Sequence, residues 1–252
     1  MTGDPTRGWA LVTGGARRIG ATLVVAAAQA GYDVLVHHRS AEADARAIAG
    51  RVRALGRQAE VRRADLADPQ AARGLVEDAP GVVTLLVNCA SVFRNDRLET
   101  LTQAGWDASM AANLRAPVFL AQAFAAALPP TREGLIVNIL DQRVWRLTPR
   151  FFSYTIGKAA LWAATQTLAQ ALAPRIRVNA IGPGPTLPSV HQAPGEFEAE
   201  AAAVPLHHGV DPCELAAALR YLIEARSVTG QMIAVDAGQH LAWRTPDVVG
   251  EE

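Results

Sequence analysis

At 252 residues, half of them hydrophobic and with 24 basic against 24 acidic side chains, the chain can bury a sizeable core and has no charge excess to recruit nucleic acid. Cys89 and Cys213 have neither CxxC nor metal-like spacing, which argues against a disulfide framework; a buried thiol is expected for each, in a cytoplasmic protein. Residues 1–8 contain no apolar signal core, and Gln, Pro or Gly interrupts the longest apolar helical runs, so no targeting or membrane-spanning segment is expected.

The first unit is an apolar run, Trp9–Thr13, followed by the turn Gly14-Gly15-Ala16-Arg17-Arg18-Ile19-Gly20 and a helical pattern over 21–30. Glycines let a backbone approach a pyrophosphate, and a helix start offers free N–H groups and the positive end of its dipole. The spacing is not G-x-G-x-x-G, so a tight strand-to-helix connection is the competing reading.

A second strand, 33–37, runs into His37, His38, Arg39 and Ser40 at the place where an NAD-type site carries an acidic residue for the ribose 2′-hydroxyl. A guanidinium suits a 2′-phosphate instead, which makes NADP(H) the expected cofactor; the alternative is a solvated loop charge. Next come a helix at 41–55, a strand at 58–62, Asp65 and Leu66, and a helix opened by Asp68-Pro69. Asp65 suits either an adenine amino group or its own turn backbone.

The apolar run 82–87 leads to Asn88, Cys89, Ala90 and Ser91, small residues that let a cofactor near a sheet edge. Phe93 beyond them reads equally as a stacking surface for a flat ligand and as a core plug. One long helix is expected over 103–128, kinked at Pro117. Its Asn113 has two readings: a bond to a carbonyl or water near Lys158, or a bond within its own helix.

Residues 135–158 carry the candidate chemistry. Asp141 ends a strand-like run, where a loop carries it out at the carboxyl edge of a sheet. Tyr154 and Lys158 follow on a helical pattern, four apart and therefore on one face, about 6 Å apart along the axis. A neighbouring ammonium stabilises a phenolate, which makes Tyr154 the acid and Lys158 its tuner; a lysine stem packed on a ring is the structural alternative.

A strand over 175–181 ends in Gly182-Pro183-Gly184-Pro185, a rigid turn able to wall a nicotinamide pocket. Residues 186–209, starting at Thr186, read as a mostly irregular substrate loop, and its His191, His207 and His208 lack the spacing of a metal site. A helix begins at Asp211-Pro212-Cys213-Glu214, the last strand spans 230–235, and 244–252 reads as a flexible polar tail. Seven strands alternating with about six helices make one domain: a single Rossmann-type, doubly wound parallel sheet.

Over nearly its whole length the chain resembles the short-chain dehydrogenase/reductase family, through Thr13 to Gly20, Asp65, Asn88-Cys89-Ala90, Asn113, Tyr154-x-x-x-Lys158 and Pro183-Gly184. The resemblance implies a nicotinamide cofactor, an acid-base Tyr154, a Lys158 on the nicotinamide ribose, and often a tetramer. Arg18, Ser91 and Asp141 in place of the usual Gly, Gly and Ser, together with His37 to Ser40 and Phe93, are similar to pteridine reductases and bacterial dihydromonapterin reductases. That similarity implies Phe93 stacked on a pterin, Arg18 and Ser91 contacting cofactor or pterin, and Asp141 working with Tyr154. An NADPH-dependent ketone or 3-oxoacyl reductase and a non-catalytic NADP-binding sensor are the alternatives.

Overall fold

Seven short runs pair, in a computed structural model describing residues 7–189 and 191–243, as β1 (Trp9–Thr13), β2 (Asp33–His38), β3 (Ala59–Arg63), β4 (Val83–Asn88), β5 (Gly134–Ile139), β6 (Ile176–Pro183) and β7 (Met232–Val235). Every pairing is parallel, in the order β3-β2-β1-β4-β5-β6-β7. Strands β1, β4 and β5 are buried along their whole length, as expected of a parallel sheet with both faces covered. Side-chain alternation divides the core: Ala10 and Val12 pack on one face, Trp9 and Leu11 on the other.

The first face is covered by α1 (Arg18–Gln29), α2 (Glu42–Ala54) and α8 (Pro212–Glu224), through residues such as Leu23, Val24, Ile48 and Leu219. The second is covered by α3 (Pro69–Glu77), α5 (Ala116–Ala127) and α6 (Phe152–Leu172), through Leu75, Leu120, Phe124 and Ala169. Asp68 and Asp211 cap α3 and α8 with a proline in the first turn, and Glu214 closes the capping box of α8.

Two expected elements differ. The long helix over 103–128 is two, α4 (Gln103–Met110) and α5, joined by a π-helical turn at Ala111–Arg115 in which the Ala116 N–H reaches back to the Ala111 carbonyl. Pro117 has no N–H to give Asn113, so the wider turn falls just before the proline rather than as a bend at it. The irregular stretch 186–209 contains a two-turn helix, α7 (Glu196–Ala203), whose strongly acidic sequence shows little apolar periodicity. The tail expected at 244–252 lies outside the described residues.

The strand order reverses at β1, which lies between β2 and β4, so a crevice opens at the carboxyl edge there. Register brings Thr13 level with Asn88, and Asn88 level with Asn138. A buried polar ladder then ties α6 to the sheet: Asn88 Nδ2 donates to Asn138 Oδ1 at 2.9 Å, Asn138 Nδ2 to Thr165 Oγ1 at 2.9 Å, and Thr165 Oγ1 to the Leu161 carbonyl at 2.8 Å. The helix that carries Tyr154 and Lys158 is thereby held against the ends of β4 and β5.

Candidate active site

The glycine turn after β1 is shaped by what surrounds it. Gly14 has a φ of +64°, and a Cβ there would lie 2.9 Å from Ala90 Cα; at Gly20 it would lie 2.1 Å from the Gly14 carbonyl oxygen. Arg17 stands at the N-cap of α1 without a side-chain cap, so the first N–H groups of the helix are left for another partner. A bare cradle facing uncapped helix donors fits the pyrophosphate of a dinucleotide.

His37 holds that cradle to the sheet. Its Nδ1 accepts the Gly14 N–H at 3.0 Å while Nε2 lies 3.2 Å from the Ala64 carbonyl, an arrangement met by a neutral ring with the proton on Nε2. Burial, the largest cause, pushes its pKa down to about 4. His37 is therefore a strut and is not free to meet a phosphate, which corrects its expected place in the 2′-phosphate set. His38 is buried with Nδ1 unpaired, whereas Arg39 and Ser40 are exposed, and Arg39 has no hydrogen-bond or ion-pair partner among the described residues.

Thr13 and several of the expected cofactor residues bond the protein itself. Thr13 Oγ1 accepts the N–H groups of Cys89 and Ala90 at 3.0 and 3.1 Å, locking the end of β4 to β1. Asp65 Oδ1 accepts the Ala67 N–H at 2.9 Å, the own-backbone arrangement, beside buried Leu66. Arg17 pairs with Asp44 of α2 at 2.5 Å, and half-exposed Ile19 follows in the first turn of α1. Arg18, at φ +54°, donates to the carbonyls of Leu187 and Pro188 at 3.1 and 2.8 Å, so its contact is with the loop after β6. At that loop's start Pro183 is buried, Gly184 donates to the Val235 carbonyl at 3.0 Å and Thr186 Oγ1 to the Gly184 carbonyl at 3.0 Å.

Asn113 turns toward the loop after β4 rather than toward Lys158. Its Oδ1 accepts from Ser91 Oγ at 2.8 Å and the Val92 N–H at 3.1 Å, and its Nδ2 donates to the Val92 carbonyl at 2.8 Å and Ser109 Oγ at 3.1 Å. All its bonding capacity serves to fix the segment that presents Phe93. Asp96, farther along that segment, accepts the Ser153 N–H at 3.1 Å and Ser153 Oγ at 2.5 Å, supplying from outside the cap that Phe151 cannot give α6.

Beside Phe93 the candidate catalytic groups converge. Tyr154 Oη donates to Asp141 Oδ2 at 2.9 Å, and Arg143 Nη1 reaches the same oxygen at 2.9 Å. Asp141 Oδ1 accepts the Arg143 backbone N–H at 2.8 Å, which begins a short 3-10 turn. Phe93 is half-buried and so is not a core plug; it stacks on Phe151 at 4.3 Å and meets Tyr154 edge-on at 4.7 Å. Phe151 has a φ of +53°, a strained backbone for a bulky side chain, at the N-cap just before α6. The Arg143 Cζ lies 5.6 and 5.2 Å from the Phe93 and Phe151 centroids.

Electrostatics correct one expectation. Burial first, then the Asp141 charge, raise the Tyr154 pKa well above its ordinary value, with Arg143 pulling it down. Lys158 Nζ instead donates to the Ile139 carbonyl at 2.6 Å, 5.7 Å from the Tyr154 centroid, and burial lowers its own pKa to about 8. The phenol is thus a neutral proton donor that Lys158 does not tune in this arrangement. Cys89 is half-buried, its thiol pushed up to about 11 by burial, whereas Cys213 is exposed at the start of α8, contrary to expectation.

Beyond the Leu187 and Pro188 carbonyls that Arg18 holds, His191 Nε2 lies 2.9 Å from the Phe93 carbonyl. His207 and His208 are exposed and lie against the carbonyls of Ala202 and Gly209. Arg143, Phe151 and Asp96 were not singled out by sequence reasoning. The available signal was a cation and an aromatic between Asp141 and Tyr154, but without the fold nothing aims them at Phe93.

A family description reading Enoyl-(Acyl carrier protein) reductase matches residues 14–240, around the same sheet and crevice. The chain belongs to the short-chain dehydrogenase/reductase family. A Mycobacterium tuberculosis protein named as an uncharacterized oxidoreductase is 37% identical over 241 residues, covering 91% of this chain and 90% of that protein. The structure of FolM alternative dihydrofolate reductase 1 from Brucella canis complexed with NADP is 50% identical, with a TM-score of 0.92 over 97% of this chain and 100% of that one. Its counterpart from Brucella suis in complex with NADP is 51% identical, with a TM-score of 0.91 over 95% and 98%. Among the described residues, no helix is long and apolar enough to cross a membrane.

Proposed function

We propose that this oxidoreductase is an NADPH-dependent reductase of a dihydropteridine, such as dihydromonapterin, dihydrobiopterin or dihydrofolate. The observation that carries the reading is the phenol of Tyr154 bonded to a carboxylate, Asp141, beside the Phe93 ring, in a chain half identical to a structure described as an alternative dihydrofolate reductase complexed with NADP. A carboxylate there repels the oxyanion that carbonyl reduction develops, yet tolerates a ring nitrogen that gains a proton.

NADPH, when bound, supplies the hydride to the carbon of a ring C=N bond. The chain's own residues do the rest: Gly14 to Gly20 receive the pyrophosphate, and Arg39 and Ser40 take the 2′-phosphate. Lys158 meets the nicotinamide ribose, Ser91 lies at the edge shared by cofactor and pterin, and Phe93 offers the stacking face. Tyr154 gives its proton to the nitrogen and is reprotonated from solvent through Asp141, so that one hydride and one proton saturate the bond. Residues 186–209 act as the substrate loop.

A cytoplasmic homotetramer of single-domain subunits is the expected form. In its support, α5 has no charged residue and the one charge on α6, Lys158, is buried, while Phe119 and Ile156 are exposed on these helices. NADPH oxidation should be followed with the three dihydropteridines beside a panel of ketones and a 3-oxoacyl thioester. Pteridine turnover is expected. Turnover of ketones or the thioester alone would replace this reading with the carbonyl-reductase one, and NADPH binding without any turnover would favour a sensor.

A further inference from the structure

Asp141 Oδ2 is shared by two donors, the Tyr154 phenol and the Arg143 guanidinium, each at 2.9 Å. When the phenol gives up its proton, a phenolate is left against a carboxylate in a buried site, an arrangement that like charges oppose. Compensation must come from a cation near those oxygens. Lys158 is turned away to the Ile139 carbonyl, whereas Arg143 already touches the carboxylate and is held in place by its own backbone N–H on Oδ1.

We propose that Arg143 is a positioning residue for proton delivery: its guanidinium fixes Asp141 as the acceptor of the Tyr154 phenol and offsets the negative charge that appears when the proton leaves. The role rests on the reductase reading above and deepens it. Five titratable or charged groups act on this oxygen cluster from four places in the chain. Asp141 and Arg143 lie on the turn after β5, Lys158 on α6, Cys89 after β4 and Glu200 on α7. His191 stands one ring farther out, 6.0 Å from Phe93. Of these, Arg143 and Lys158 are the cations at neutral pH, and Arg143 is the one bonded to Asp141. Tyr154 and Asp141 appear in turn among the groups that hold Arg143 in its charged form, against the cost of its own burial.

The guanidinium also lies along Phe93 and Phe151, so a packing role must be separated from a charge role. Arg143→Met keeps an apolar stem and removes the charge; Arg143→Lys keeps the charge and loses the fork. With a dihydropteridine and NADPH, Arg143→Met is expected to lower kcat about tenfold while the pteridine KM changes little, and Arg143→Lys to recover a substantial part of kcat. Phenol ionisation, followed by ultraviolet difference absorbance against Tyr154→Phe, should begin at higher pH in Arg143→Met than in the parent enzyme.

That last readout needs no substrate and separates the two ideas. Parent enzyme that reduces no pteridine overturns the functional reading, and the phenol titration still decides the role of Arg143. Arg143→Met with an unchanged phenol titration, or Met and Lys variants equally impaired, overturns the role of Arg143 even with pteridine turnover intact.

Discussion

The two halves of the crevice are built from different materials. On the β1–β2 side the site is mostly backbone: glycines that leave room, an uncapped α1, and the neutral imidazole of His37 bonded to Gly14 and Ala64. On the β5–α6 side it is side-chain charge: Tyr154, Asp141 and Arg143 meet on one oxygen, with Lys158 buried close by. Backbone cradles tolerate variation around them as long as the small residues stay; converging charges depend on each member.

The largest effect should come from the charged half. Tyr154→Phe removes the proton donor and is expected to lower kcat by roughly 10²-fold or more with NADPH binding retained. Unchanged turnover would transfer the acid role elsewhere.

On the backbone half the expected loss is one of stability. His37 is neutral in the folded chain with its pKa lowered to about 4 from 6.5, so its contribution is complete above 6.5 and is lost as pH falls toward about 4. Denaturant titrations should show the protein losing up to about 3 kcal/mol across that window, and His37→Asn should flatten the slope. Equal slopes would mean that the ring protonates without breaking its bonds.

Arg39→Ala tests the exposed rim of the same half. The KM for NADPH should rise roughly tenfold while NADH use is unaffected, as expected for one charge-assisted contact to a phosphate. Equal losses with both cofactors would return Arg39 to the status of a solvated loop charge.

A smaller and opposite effect belongs to Lys158. Burial lowers its pKa from 10.5 to about 8, so the charge costs stability in full below about 8, and the cost fades as pH rises toward 10.5. Lys158→Met, though impaired in turnover, should be about 1 kcal/mol more stable than the parent at neutral pH, with the gap closing above pH 8. A less stable variant would mean that the bond to the Ile139 carbonyl outweighs the cost of burying the ammonium.

The same division explains what the sequence could disclose. Strand–turn–helix units and the caps at Asp68-Pro69 and Asp211-Pro212 are local patterns, readable because their partners lie within four residues. The π turn at Ala111–Arg115 and the acidic helix α7 were not, since one depends on how a proline displaces bonding upstream and the other on packing that its weak periodicity does not announce. Spacing suggested Asp141, Tyr154 and Lys158 as a group, but the electrostatic ordering among them reversed once burial and the Ile139 carbonyl entered. Asp65 and Phe93 each left two readings open. The fold gave Asp65 its own backbone, and Phe93 a partner, Phe151, that lies 58 residues away and has a backbone conformation no pattern predicts.

The central claim is that a carboxylate at position 141, where the family commonly has Ser, selects a pteridine over a carbonyl. The most direct measurement is kcat/KM for a dihydropteridine and for a ketone in the parent enzyme and in Asp141→Ser, at fixed NADPH. A fall of about tenfold or more in the pteridine-to-ketone ratio is the predicted result. An unchanged ratio, or one that rises, would contradict the claim.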